Sequence, residues 1–256
     1  MASGCINITL LGIDIKDNEL MVGFAEITYS EIEAVRLIVG NVSTEFIEGE
    51  LVLDAGKRDR YRPVFGGIQV TTRSGRSTLS YGAVRHDGTR GFVMTGHVGG
   101  VNTRVYQPTI AFRNFIGSIF VNPIRPRLSD AAFVPTTAVR AGIWRRSVSG
   151  IKRSPLTPPG TRIGMEGITS CGTVGVIHAR NVRVPNHPIY GTLRNQVLAT
   201  YPSAPGDSGG PVFLPPGQPR VFICGTHWGR WRGFAVYSPI EGVMSDLGLR
   251  GVLIGG

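Results

Sequence analysis

The chain has 256 residues and a net charge of +10, with 41% hydrophobic and only 17% charged residues, so it can bury a sizeable core as one large domain, two packed subdomains, or a domain with a small appendage. Its 36 glycines, 17 prolines and short, often broken apolar runs exclude long helices and favour β structure. No apolar run reaches the roughly 18 residues that a membrane-spanning helix requires, so no membrane span is expected.

The opening MASGCINITLLGIDIKDNEL lacks the basic region and continuous apolar stretch of a secretory signal. Two locations stay open: secreted or extracellular if a signal was trimmed, or cytoplasmic. From Ile6 to about Glu50 the pattern mixes periods. INITLLGIDIK and ELMVGFAEI alternate as strands, and TYSEIEAVRLIVG has helical spacing through Ile32, Val35 and Leu37 to Val39, with Ser30 as N-cap candidate and Gly40 as its end. STEFIEGELV returns to strand. The pattern predicts a small β-β-α-β unit whose core is too thin for much stability alone, and whose helix is expected to dock on another surface.

DAGKRDRYRP, Asp54 to Pro63, is polar, basic and closed by proline, and reads as a linker exposed to solvent and proteolysis, or as an ordinary solvated charge run. It also marks a charge boundary. Residues 1–60 hold eleven acids and five bases, a net −6, whereas residues 61–256 hold six acids and 22 bases, a net +16. The sequence therefore divides into a 1–60 unit with linker and a 61–256 domain, of opposite sign and mutually attractive at short range.

After Pro63 about a dozen short strands separated by Gly and Pro turns predict an all-β sandwich or a pair of barrels. SPIEGVMSDLGL near the end predicts a short C-terminal helix. Cys5, Cys171 and Cys224 lack metal-ligand spacing and are assigned mostly to packing, with a single Cys171–Cys224 bridge left open.

The most constrained segment is PSAPGDSGGPVF, Pro202 to Phe213. It reads either as a tight loop between strands or as a turn that presents Ser208 as a nucleophile, with small neighbours that let substrate approach. A serine hydroxyl needs a base, and an imidazole oriented by a carboxylate is the usual one. Of the five histidines (His86, His97, His178, His187 and His227), only His97 ends an apolar strand, GFVMTGH. Between His97 and Asp207 the acids are Asp130 and Glu166, and Asp130 stands directly before the apolar run AAFV. The order His97, Asp130, Ser208 separates this arrangement from other serine-hydrolase orders.

FVMTGHV, SDAAFV and PGDSGGPV resemble, in order, the His, Asp and Ser motifs of chymotrypsin-like serine proteases, and GITSCGTVGVI resembles the bacterial branch that includes α-lytic protease and the streptogrisins. The likeness covers roughly Pro63 to Gly256. GIDIKDNELMVGF and SEIEAVRLIV are similar to the C-terminal part of those enzymes' pro-regions. The resemblance implies a mainly β fold of two six-stranded antiparallel β-barrels with the site in the cleft between them. It also implies a pro-region that assists folding and then blocks the enzyme. Two departures stand out: the cysteine that usually follows the histidine is Val98, and the serine just beyond the final pocket strand is Trp228 when GTHWGR is aligned on its glycines.

The implied activity is a serine endopeptidase working through an acyl-enzyme: Ser208 attacks, His97 moves the proton, Asp130 orients the imidazole, and the Gly206 and Ser208 N–H groups meet the oxyanion. Asp207 is expected to need a buried partner, a new N-terminus or a base such as Arg162. The expected substrate pocket is drawn from Pro202 and from His227, Trp228, Gly229 and Arg230. Its walls contain no acid, which argues against a Lys or Arg substrate residue. His227 and Arg230 suit a glutamate side chain, with a medium apolar residue as the alternative. No metal or organic cofactor is expected. The expected partners are a polypeptide substrate and the N-terminal unit in cis. A catalytically idle fold that binds an acidic partner or nucleic acid, and an esterase on the same scaffold, are the alternatives; arginines spread along the chain do not form the aromatic-basic platform of a nucleic-acid binder.

Overall fold

The computed structural model describes residues 8–24, 26–48, 56–123 and 127–255. The chain divides into two compact units, residues 1–55 and 56–256. In the first, strands Ile8–Asp14 and Glu19–Phe24 pair antiparallel, and Thr44–Glu48 joins Glu19–Phe24 in parallel after the helix Tyr29–Val39. The helix cap is Thr28 rather than Ser30. The Glu31 N–H donates to Thr28 Oγ1 while the Thr28 N–H donates to the Glu31 carboxylate, a reciprocal box that satisfies two otherwise orphaned donors. Gly40 closes the helix at φ 65°. The core is thin, as its sequence suggests: Val22, Phe24 and Val35, flanked by Leu20, Ile27, Val39 and Phe46.

The second unit is mainly β and contains, among the described residues, two seven-stranded sheets and one two-stranded pair. In the first, pairings connect, in spatial order, strands Ala132–Pro135, Arg90–Met94, Gly75–Arg85, Gln69–Thr72, Arg104–Tyr106 and Phe115–Ser118. Phe120 and Val121 then bond back to Phe133, bringing the path round to its start. In the second, the pairings run round a ring of six: Arg220–Trp231, Pro211–Leu214, Arg162–Glu166, Gly172–His187, Gly191–Ala199 and Phe234–Pro239, which returns to Arg220–Trp231.

Two pairings are parallel, a departure from a wholly antiparallel expectation: Val64–Gly66 with Val139–Ile143, and Ser147–Ile151 with Arg220–Trp231. The predicted C-terminal helix is Ile240–Leu247, ended by Gly248 in the left-handed region. A strand the sequence reading did not separate, Leu249–Val252, follows it and pairs with Gly75–Arg85.

One apolar cluster joins the two sheets. Tyr81, Val93 and Phe133 from the first meet Phe213, Val221 and Ile223 from the second, with Ile240, Val243 and Leu247 of the helix. Each such buried side chain is worth about 1.5–3 kcal/mol. This junction fixes the two sheets against each other, and the segments carrying Asp130 and Ser208 leave it.

Of the segment Asp54 to Pro63, residues 54 and 55 lie outside the described residues; Gly56, Arg58, Asp59, Arg60 and Pro63 are exposed, as a linker would be, but Lys57, Tyr61 and Arg62 are anchored by contacts within residues 56–256. Lys57 is buried, its ammonium donating to the Glu166 carboxylate and, at 2.7 Å, to the Gly167 carbonyl. Tyr61 packs edge-on against Phe65 and Trp144, and Arg62 donates to Gln107 Oε1 at 2.7 Å. Lys57 reads as solvated in sequence because Glu166 and Gly167 lie 109 and 110 residues away, and Arg62 because Gln107 lies 45 residues away, whereas Arg58 and Arg60 are exposed as the charge run suggests. Cys171 and Cys224 are free thiols, so the bridge left open by the sequence is not formed. Among the described residues no helix is long and apolar enough to cross a membrane.

Candidate active site

Strand Arg90–Met94 delivers Thr95, Gly96 and His97 beside the start of Ala132–Pro135, which carries Asp130 two residues earlier. Asp130 is fully buried, and its carboxylate is saturated with donors. Oδ1 accepts from the N–H groups of Gly96 and His97 at 2.8 and 2.9 Å and lies 3.3 Å from the Thr95 hydroxyl. Oδ2 faces His97 Nδ1 at 2.6 Å. Burial alone would raise the Asp130 pKa, but hydrogen bonds from His187 and His97 outweigh it and hold the group far below the usual carboxylate range. For His97, burial pulls downward and the hydrogen bond and charge of Asp130 push upward, with a net rise. The imidazole remains part-exposed, so a buried anion presents a basic ring toward the surface.

The Ser208 turn is held by its glycines. Ala204 O accepts from Asp207 N at 3.1 Å, which sets Pro205 and Gly206 at the corners of a turn, and Gly206 has φ 102°. A Cβ on Gly206 would lie 2.7 Å from Thr169 Oγ1, and one on Gly209 would lie 2.0 Å from the Thr78 carbonyl. Strand Gly75–Arg85 grips the turn from below: Thr78 N donates to Ser208 O at 2.8 Å and Thr78 Oγ1 to Gly206 O at 2.9 Å. The missing Cβ of Gly209 also lies 3.1 Å from Thr95 N, which brings the serine turn against the segment leading to His97. Among the described residues neither the Gly206 nor the Ser208 N–H donates to the protein. That leaves two donors at the turn for an oxyanion. The Ser208 hydroxyl itself donates to the Trp228 carbonyl at 3.3 Å, and no hydrogen bond joins it to His97.

Asp207 has neither expected partner. Its buried carboxylate accepts from backbone N–H groups instead: Thr169 at 2.8 Å, Ser170 at 3.2 and 3.3 Å, and Ala204 at 2.8 Å. Several amide donors stabilise an anion without a cation, which is why neither an inserted N-terminus nor Arg162 is needed. Arg162 begins a strand paired with Val176.

A cavity of about 490 Å³ opens beside Ser208, lined among others by Pro205, His227, Gly229, Arg230 and Arg232. None of its lining residues is an acid. Pro202 and Trp228 do not line it. Pro202 uses its carbonyl to accept from Thr173 Oγ1 at 2.9 Å, and Trp228 lines a neighbouring apolar cavity of about 560 Å³ while its indole N–H donates to Gln196 Oε1 at 2.8 Å. His227 is buried with Nδ1 3.1 Å from the Tyr201 hydroxyl. Burial, reinforced by the charges of Arg230 and His97 and opposed by Asp207, lowers its pKa to about 4. The Tyr201 hydroxyl either donates to Nδ1, leaving the ring proton on Nε2, or accepts from Nδ1–H, according to the tautomer of the neutral ring. The described residues hold no cluster of metal-ligating side chains.

The residue missed in sequence is His187. It lies almost wholly buried at the end of the long strand Gly172–His187, with Nε2 3.4 Å from Asp130 Oδ2. No motif marks it, because only the hairpin's curl brings residue 187 to residue 130.

This fold is that of the bacterial chymotrypsin-like serine proteases, and the solved structures it resembles are themselves serine proteases. The chain is similar to Thermobifida fusca protease A, with 23% identity, 75% of this chain and 99% of that one covered, and a TM-score of 0.61. It is similar to the Nocardiopsis protease at 26% identity, with 73% and 98% covered and a TM-score of 0.55. A third is a glutamic acid specific serine protease that uses a histidine triad in substrate binding, at 24% identity, with 74% and 100% covered and a TM-score of 0.61. No protein-family model and no curated protein matches the chain.

Proposed function

We propose that the chain is a serine endopeptidase in which His97, Asp130 and Ser208 form the triad. The observation that carries this reading is the pairing of a fully buried Asp130 with the Nδ1 side of His97, which leaves Nε2 as the base, beside a turn that offers a serine and two unengaged N–H donors. Ser208 swings from the Trp228 carbonyl to His97 as substrate enters, attacks the scissile carbonyl and passes its proton to Nε2. The N–H groups of Gly206 and Ser208 take up the oxyanion, each worth about 3–4 kcal/mol to the transition state. His97 then protonates the leaving amine, and water reverses the sequence on the acyl-enzyme.

The residue before the scissile bond is acidic on this reading. What supports it is a cavity with a neutral imidazole, two guanidinium side chains and no acid. A peptide library varied at that residue, run on wild type, Ser208→Ala and His227→Ala, tests both parts. Cleavage lost in Ser208→Ala and a glutamate preference lost in His227→Ala support the reading. A preference for Leu or Phe that survives His227→Ala ends the acidic pocket, and hydrolysis of small esters with none of peptides makes the chain an esterase.

Residues 1–55 act on this reading as an inhibitory or folding-assisting unit in cis. They hold ten acids and two bases, a net −8, against seven acids and 25 bases, a net +18, in residues 56–256. Their attraction is expected to weaken with salt. A separately expressed 56–256 that folds as fast and works no better than the full chain would count against it. Secretion is the location that an endopeptidase with such a unit implies.

A further inference from the structure

His187 sits on the one oxygen of Asp130 that faces the base. Its Nδ1 accepts from the N–H groups of Ile189 and Tyr190, both at 3.3 Å, so the ring proton resides on Nε2. Nε2 lies 3.4 Å from Asp130 Oδ2, a charge contact longer than a formed hydrogen bond, on the same atom that receives His97 Nδ1–H at 2.6 Å. The ring has little freedom to turn: it stacks on Tyr190 with centroids 4.8 Å apart and meets Trp228 edge-on at 5.2 Å. Tyr190 is clamped in turn by the Arg127 guanidinium, 3.7 Å above its ring. Arg127 donates to the carbonyls of Ser129 and Ala131 on either side of Asp130.

We infer that His187 is a positioning residue for the triad, a second neutral donor that keeps Asp130 Oδ2 in the plane of His97 Nδ1. The inference rests on the proposed triad. Asp130 Oδ1 is fixed by two backbone amides, but rotation about that anchor would swing Oδ2 out of line with the imidazole. A donor from the second sheet's hairpin blocks that swing. His187 touches neither substrate nor Ser208 in this role; it acts through Asp130.

The test uses the full chain. Nitrogen-15 NMR of the wild-type histidines should find His187 in the Nε2–H form, and an Nδ1–H form overturns the inference without any variant. His187→Phe keeps a ring on Tyr190 and removes the donor; His187→Gln restores an N–H near the same place. On a small ester, His187→Phe should lower kcat about tenfold with KM unchanged and displace the far-downfield proton of the His97–Asp130 hydrogen bond, while His187→Gln recovers most of the rate. Wild-type kcat and an unmoved proton in His187→Phe, or equal losses in both variants, overturn it. If His187→Phe does not fold, the wild-type tautomer and His187→Gln decide. A wild type that neither hydrolyses ester nor reacts with a fluorophosphonate at Ser208 defeats the protease reading itself, a result distinct from any of these.

Discussion

In Asp130→Asn the new amide has one orientation open to it. The Oδ1 side faces the Gly96 and His97 N–H groups at 2.8 and 2.9 Å and the Thr95 hydroxyl at 3.3 Å, all donors, so the amide oxygen stays there. Its NH2 then takes the Oδ2 place, 2.6 Å from His97 Nδ1, and meets the His187 Nε2–H donor to donor at 3.4 Å, a weaker repulsion than the opposite orientation, which turns the NH2 onto three closer donors. Donating to Nδ1 forces the imidazole proton onto Nε2, where the ring can no longer receive the Ser208 proton. A wrong tautomer of this kind lowers kcat by about 10⁴, which corresponds to a barrier higher by about 5 kcal/mol. The assay is steady-state hydrolysis of a chromogenic peptide by wild type and variant, with circular dichroism and thermal melting as the check on folding. A folded Asp130→Asn within tenfold of wild-type kcat/KM would refute the assignment of Asp130 and the tautomer argument together.

Wild-type kcat/KM should fall on the acid side with a midpoint above the ordinary imidazole value of 6.5, because a raised His97 pKa means the base is protonated as pH drops through that raised value; a midpoint at or below 6.5 would contradict the coupling to Asp130. Asp207→Asn should lower kcat at least about tenfold by weakening amide bonds that shape the Ser208 turn, whereas Arg162→Ala should leave it unchanged; the reverse pattern would restore the ion-pair expectation. Lys57→Met should cost about 3 kcal/mol in urea unfolding, since Glu166 keeps Arg146 at 2.7 Å but loses its buried ammonium, and an unchanged midpoint would refute that burial. Mass spectrometry over time should find self-cleavage away from Lys57, Tyr61 and Arg62, and fragments beginning at residue 58, 62 or 63 would show that the anchors of this segment release.

What the sequence disclosed follows from how local each signal is. The Gly and Pro turns and short apolar runs announced the mainly β second unit, and the flanking small residues singled out Ser208 because a strained turn demands them locally. His97 and Asp130 are legible as candidate partners through their order and their adjacency to apolar strands, and the structure brings the two side chains together. The errors fall where a partner is distant in the chain. Lys57 reads as solvated because nothing near it foretells Glu166, and Asp207 invites a cationic partner because a row of backbone amides from residues 169, 170 and 204 leaves no mark in side-chain chemistry. His187 was passed over because its partner is supplied by a hairpin fold. Thr28 displaced Ser30 as the cap since its spacing to Glu31 closes the reciprocal box.

If Ser208 is an activated nucleophile, treating the intact protein with a fluorophosphonate and mapping the adduct by peptide mass spectrometry will reveal it. A single adduct on Ser208 is expected, formed far more slowly in His97→Ala and absent in Ser208→Ala. No adduct in the full chain or in 56–256, or one on another serine at an equal rate in Ser208→Ala, would contradict it and leave the fold as a binding scaffold.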